Sequence, residues 1–131
     1  MKKDITIPKV KEVYIAVVQE KHLEYQTQDW NAYIINNSDK ELDTVLILSQ
    51  GYSESKMTPP MRHSIAKLPA RSFAKIEYLQ EDVLELNNSF KLSFFQGNQM
   101  FDKTYVFRKN TINTRAFQPI PLMNTNGILV K

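Results

Sequence analysis

The feature that most narrows the fold is a series of short runs rich in β-branched and aromatic residues, each closed by residues that turns favour. Seven such runs occupy residues 10–19, 30–36, 43–52, 61–68, 72–79, 90–96 and 100–109. Their spacing, roughly 8–12 residues from one turn signal to the next, is that of β-sandwiches and barrels. Between them stand Asn36-Asn37-Ser38-Asp39, Met57-Thr58-Pro59-Pro60, Leu68-Pro69-Ala70-Arg71 and Gln96-Gly97-Asn98-Gln99. Asn, Asp and Ser bond their own backbone in turns, Pro presets φ, and Gly accepts positive φ. Long helical periodicity is absent. Only Glu81-Asp82-Val83-Leu84-Glu85-Leu86 predicts a helical turn, linking two strands across a sandwich.

Register around Gly97-Asn98 makes the β reading specific. A two-residue turn with Gly first suits type II′ and sets Phe95 opposite Met100, Phe94 opposite Phe101 and Phe90 opposite Tyr105. Period 2 then gathers Phe90, Leu92, Phe94, Phe101, Tyr105 and Phe107 on one face. The other face holds Lys91, Ser93, Asp102, Thr104 and Arg108, with Phe95, Met100 and Val106 as its apolar members. Lys103 dissents, falling on the aromatic face. Either it lies near an edge and carries its amine to water, or it is a charge held in a pocket.

The stretch after Lys109 reads differently. Asn110-Thr111-Ile112-Asn113-Thr114-Arg115 is polar; Pro119-Ile120-Pro121-Leu122-Met123, Asn124-Thr125-Asn126-Gly127 and Ile128-Leu129-Val130 then predict a terminal hairpin turning at Asn126-Gly127. Its apolar arms, Ile120, Leu122, Met123, Ile128, Leu129 and Val130, must be covered by the parent domain or by a second copy of the chain.

Length and composition set the remaining bounds. At 131 residues, 42% hydrophobic and 24% charged, the chain has the size and make-up of one globular domain. Residues 1–110 are expected to form the sandwich and residues 111–131 an extension packed on it or on a partner subunit. The longest apolar runs, such as Val45-Leu46-Ile47-Leu48, are too short to span a bilayer. Met1-Lys2-Lys3-Asp4-Ile5-Thr6-Ile7-Pro8 carries no apolar stretch able to act as a secretory signal, so no membrane association and a cytoplasmic location are expected.

Residue usage removes several chemistries. With no cysteine, disulfides, thiolate zinc sites and thiol nucleophiles are excluded. Of the two histidines, His22 sits in a turn, and His63 shares a face with Met61 and Ile65, where a packed or edge role is expected over that of a catalytic base. Gly51, Gly97 and Gly127 lie too far apart to build a phosphate-cradling loop. No nucleophile elbow is present. The carboxylates Asp39, Glu41 and Asp43, and Glu81, Asp82 and Glu85, lack the spacing of an oxygen cage for calcium. No cofactor, metal site or catalytic residue is expected.

Charge is uneven along the chain. Residues 1–54 hold six Lys/Arg and nine Asp/Glu, a net −3; residues 55–131 hold eleven and five, a net +6. An anionic partner for the second half is one consequence. Lys103, Arg108, Lys109 and Arg115, interleaved with Tyr105 and Phe107, are the candidate nucleic-acid or anion contacts, although core aromatics with solvated charges are the favoured account of that stretch. Trp30 is read as a core or rim aromatic.

Three stretches carry a family resemblance: Gln28-Asp29-Trp30-Asn31-Ala32-Tyr33-Ile34-Ile35-Asn36-Asn37, Leu68-Pro69-Ala70-Arg71-Ser72-Phe73-Ala74-Lys75-Ile76-Glu77 and Tyr105-Val106-Phe107-Arg108-Lys109-Asn110-Thr111-Ile112-Asn113. The chain resembles, over nearly its whole length, a group of short, uncharacterised bacterial proteins that often carry the label phenylalanyl-tRNA synthetase alpha subunit. The resemblance assigns no role to any residue here. The activity in that label needs a much longer chain with an Arg-containing motif and a Gly-rich Arg motif to hold ATP, and this chain has neither.

The expectation is therefore an all-β, immunoglobulin-like or fibronectin-like antiparallel sandwich of about seven strands with a C-terminal hairpin extension, a barrel being the alternative. Its expected role is that of a non-enzymatic interaction or structural module, self-associating as a homo-oligomer or binding another protein. An RNA- or anion-binding module is the second reading.

Overall fold

The computed structural model describes residues 9–131; the lysine-led N-terminal octapeptide lies outside the described residues. The strands are Val13–Lys21 (β1), Gln28–Asn36 (β2), Leu42–Tyr52 (β3), Met61–Leu68 (β4), Ser72–Leu79 (β5), Asn87–Gln96 (β6), Gln99–Phe107 (β7), Gln118–Ile120 (β8) and Thr125–Val130 (β9). They form two antiparallel sheets packed face to face, in the orders β5-β2-β1-β9-β8 and β4-β3-β6-β7. Among the described residues no helix is long and apolar enough to cross a membrane.

The β6–β7 hairpin has the register expected of it: Phe95 pairs with Met100, Phe94 with Phe101 and Phe90 with Tyr105. Gly97 has φ +61°, whereas Asn98 has no positive φ, as a type II′ turn requires. The inward set forms the heart of the core, with Phe90, Leu92, Phe94, Tyr105 and Phe107 each about 1% exposed. Val13, Ile15 and Val17 of β1, Ala32 and Ile34 of β2, and Leu42, Val45 and Ile47 of β3 meet them from both sheets. Each fully buried side chain of this size stabilises the fold by roughly 1.5–3 kcal/mol.

Two polar contacts tie the sheets together inside this apolar layer. Tyr105 Oη on β7 donates to the carbonyl of Val13 on β1 at 2.5 Å, and burial of the ring pushes its phenol pKa well up. Asn36, fully buried at the end of β2, donates through Nδ2 to the carbonyls of Lys40 (2.9 Å), Leu68 (3.2 Å) and Pro69 (2.9 Å). Its Oδ1 accepts from Ser38 N and Oγ. One side chain thereby fixes the β2–β3 and β4–β5 connections, which leave different sheets.

Several boundaries differ from the sequence expectation, each for a local reason. β1 starts at Val13 because Glu12 sits at φ +59°. β6 begins at Asn87, three residues before the expected run at 90–96: Asn88 is buried and its Nδ2 donates to Val83 O and Leu86 O, pinning the short 3-10 turn Glu81–Glu85. That turn links the two sheets as expected. β7 ends at Phe107, so Arg108 and Lys109 fall in a turn with Asn110 at φ +63°.

The terminal hairpin forms, but not around Asn126-Gly127. The chain reverses through Pro121–Asn124, with Leu122 at φ +70° and Asn124 at φ +53°, and Gly127 lies inside β9 opposite Gln118. Packing explains the difference. β9 pairs with β1 so closely that a Cβ on Gly127 would sit 2.6 Å from Val17 O and 2.8 Å from Val18 Cγ1. Glycine here serves close approach of two backbones, a demand invisible to a local turn rule.

Candidate functional site

The residues singled out from sequence fall in three different settings. Lys103 lies on the inward face of β7, the outer strand of its sheet, half-buried with Nζ 4.9 Å from the centroid of the Tyr105 ring. Of the two expected roles, this is the edge one. An inward-pointing cation on an outer strand also discourages edge-to-edge pairing. Arg108 and Lys109 are exposed on the turn after β7, where Thr111 Oγ1 donates to Arg108 O and Lys109 N donates to Asn87 Oδ1. Arg115 is exposed on a second 3-10 turn, Thr114–Ala116, capped by Asn113 Oδ1. Lys103 is separated from Arg108 by five residues of extended backbone, roughly 16 Å, and points into the sandwich, so the four cations do not line one surface.

The apolar arms of the terminal hairpin are used within the chain. Ile128 is buried in the main core and Val130 packs against it. Ile120 joins Ala16, Val18 and Ile35 in a smaller cluster on the far side of the five-stranded sheet, with Met123 and Leu129 packed against it. Leu122 stays 40% exposed at the turn.

The histidines both have structural partners. His22 Nδ1 accepts from Glu24 N and Tyr25 N and its ring stacks on Tyr25, so it organises the β1–β2 loop. His63 points inward from β4, and its Nε2 lies 2.7 Å from Glu77 Oε1 on β5; Ser49 Oγ on β3 donates to the same oxygen at 2.5 Å. A register shift between Ala32 and Tyr33 produces this meeting. Strict alternation would send Glu77 outward with Phe73 and Lys75, but the bulge turns Ile76 and Glu77 to the same, inward side. Ser49 gives its proton to the carboxylate, not to the imidazole, so the nucleophile-to-base contact of a hydrolytic triad is missing. Among the described residues no group of three His, Asp or Glu could hold a metal ion.

A candidate interaction surface lies elsewhere, on the outer face of the four-stranded sheet. One cross-strand row runs Arg62, Leu48, Lys91, Thr104; the next runs Ser64, Leu46, Ser93, Asp102. Phe95 and Met100 follow as an apolar pair beyond the bulge at Asp43–Leu46. The two rows, without Phe95 and Met100, border a groove of about 550 Å³. Leu46, on an inner strand, is 50% exposed, and Met100 and Phe95, beside the hairpin turn, are 52% and 37% exposed. Arg62, Lys91 and Asp102 are exposed, and none is in an ion pair among the described residues.

This face was partly legible. Val45-Leu46-Ile47-Leu48 is apolar at every position, which is the pattern of a strand covered on both sides. The core covers Val45 and Ile47; within the chain Leu46 is left half open to solvent. The neighbouring charges come from three separate strands, and only the register places them around it. Comparison of the chain with protein-family models and with curated proteins finds no match.

Proposed function

We propose that the chain is a non-enzymatic, self-associating module of the cytoplasm, in which two copies meet through the outer faces of their four-stranded sheets. The observation that carries this reading is the two-sided apolar character of β3, matched by a core on only one side, with Phe95 and Met100 adding exposed apolar surface on the same face. Exposed apolar patches of this kind mark interaction surfaces.

The charges favour a second copy as the occupant. Arg62 stands on one outer strand of the sheet and Asp102 on the opposite one, with leucines between. A two-fold axis running along the strands between β3 and β6 lays the Arg62 side of one copy over the Asp102 side of the other. The surface is thus complementary to itself, as an isologous interface must be. Four strands spaced about 4.8 Å apart and seven residues long offer roughly 450 Å² per copy, at the low end of specific interfaces.

Edge-to-edge association is the less favoured route. Of the four outer strands, β8 is three residues long and contains Pro119, β7 carries the inward Lys103 and β5 is bulged, which leaves β4 as the one regular edge. Each device spoils an edge as a template for another strand.

The strand orders support the immunoglobulin-like class in its fibronectin-like form, since β4 pairs with β3 instead of with β5, and β9-β8 extends the other sheet beyond β1. Sedimentation of the wild-type chain and of Leu46→Lys tests the reading: concentration-dependent dimerisation is expected for the first and loss of it for the second. An unchanged dimer in Leu46→Lys would move the interface elsewhere.

A further inference from the structure

Beside the Ser49–Glu77–His63 cluster, on the side of the sandwich where β4 and β5 face each other, a cleft of about 520 Å³ opens between the sheets. Its volume falls within the roughly 300–1,000 Å³ typical of small-molecule sites. Met61, Leu79, Val83 and Phe90 give it apolar walls and floor, with Leu79 and Phe90 also belonging to the main core. Two carboxylates line it, Glu77 and Asp82, and no Lys or Arg does, although the chain contains 17 basic residues. The carboxylate of Glu77 is held in place through one oxygen, Oε1, by Ser49 and His63. Its other oxygen takes no hydrogen bond from the described residues. A positioned acceptor at the end of an apolar slot is the arrangement by which few polar groups fix the orientation of a mostly apolar ligand.

We infer that this cleft binds a small organic cation, its protonated amine against Glu77 and an apolar body of about one ring between Met61, Val83 and Phe90. The site is distinct from the self-association face: the cleft opens between the sheets, whereas Leu46, Arg62 and Asp102 project from the outer surface. Occupancy of one leaves the other free, and either reading can fail alone.

The test is a titration of the labelled full chain followed by amide chemical shifts, with 2-phenylethylamine as probe and 2-phenylethanol and 3-phenylpropanoate as neutral and anionic counterparts. The amine is expected to shift Ser49, Glu77 and Val83 with a Kd below about 1 mM, and the carboxylate to leave them in place. Glu77→Gln should weaken amine binding by about tenfold or more. Val83→Trp fills the slot without touching Glu77 or its partners, and should abolish binding; it decides the matter if Glu77→Gln does not fold. Equal binding of all three probes, amine binding that survives Val83→Trp, or no shift with about 10 mM amine overturns the inference.

Discussion

His63 Nε2 and Glu77 Oε1 lie 2.7 Å apart and join the outer strands of the two sheets, with Ser49 Oγ donating to the same carboxylate oxygen. Both side chains are largely withdrawn from solvent, at 21% and 12% exposure. Removing the carboxylate leaves a buried hydroxyl and an imidazole without their acceptor. Glu77→Ala is expected to cost about 2–3 kcal/mol in denaturant unfolding. A double-mutant cycle with His63→Ala should show coupling of about 1 kcal/mol; strict additivity would mean that the contact does not hold the sheets together.

Asn36 is expected to matter more than its polarity implies. Its amide serves three carbonyls on two connections. Asn36→Leu buries those carbonyls unpaired and should destabilise by about 3 kcal/mol or more, whereas Asn37→Leu, one position on and more exposed, should cost under about 1 kcal/mol. Equal effects would contradict the role given to Asn36.

Alkaline pH should loosen the fold through its tyrosines. Burial, together with the hydrogen bond to Glu20 and its charge, pushes the Tyr33 phenol up to about 12; burial raises Tyr105 and Tyr14 as well. A pKa raised in the folded state means that the folded chain holds the proton more tightly than the unfolded one. The stabilising contribution is therefore complete below the ordinary tyrosine value of 10.0 and is lost as pH climbs through about 12. Phenolate absorbance should show late-titrating groups, one fewer of them in Tyr33→Phe, with Tyr105 remaining. Tyr105→Phe, which loses the bond to Val13 O, should cost about 1–2 kcal/mol at neutral pH.

Two backbone positions should respond in opposite directions. Gly127→Ala drives a methyl into the Val17 carbonyl and is expected to cost about 2 kcal/mol or more, since a backbone oxygen of β1 cannot step aside. Thr44, β-branched and at φ +50° in the bulge of β3, is strained; Thr44→Gly should stabilise by up to about 1 kcal/mol. Thermal unfolding of the two variants distinguishes them by sign.

What the sequence made legible was whatever depends on neighbours along the chain. Alternation across Gly97-Asn98 specified residue pairs of β6 and β7, and the runs at 61–68 and 72–79 coincide with β4 and β5. What escaped depends on distant partners. Gly127 looked like a turn residue because its neighbour is Asn126, but β1 decides its role. Alternation along residues 72–79 groups Glu77 with Phe73 and Lys75 and cannot foresee the bulge opposite Ala32 and Tyr33 that turns it inward. Arg62 and Asp102 are forty residues apart in sequence and share a surface only through the pairing of β4, β3, β6 and β7. The half-open Leu46 had a local sign, the unbroken apolar run of β3, whose missing second cover is a property of the folded chain.

The most direct test of the self-association account is a charge swap read by sedimentation velocity. The 15.3 kDa chain should form a dimer with rising concentration, Arg62→Glu should return it to monomer, and the double variant Arg62→Glu/Asp102→Lys should restore the dimer. A chain that stays monomeric up to about 1 mM, or a dimer indifferent to both variants, would contradict it.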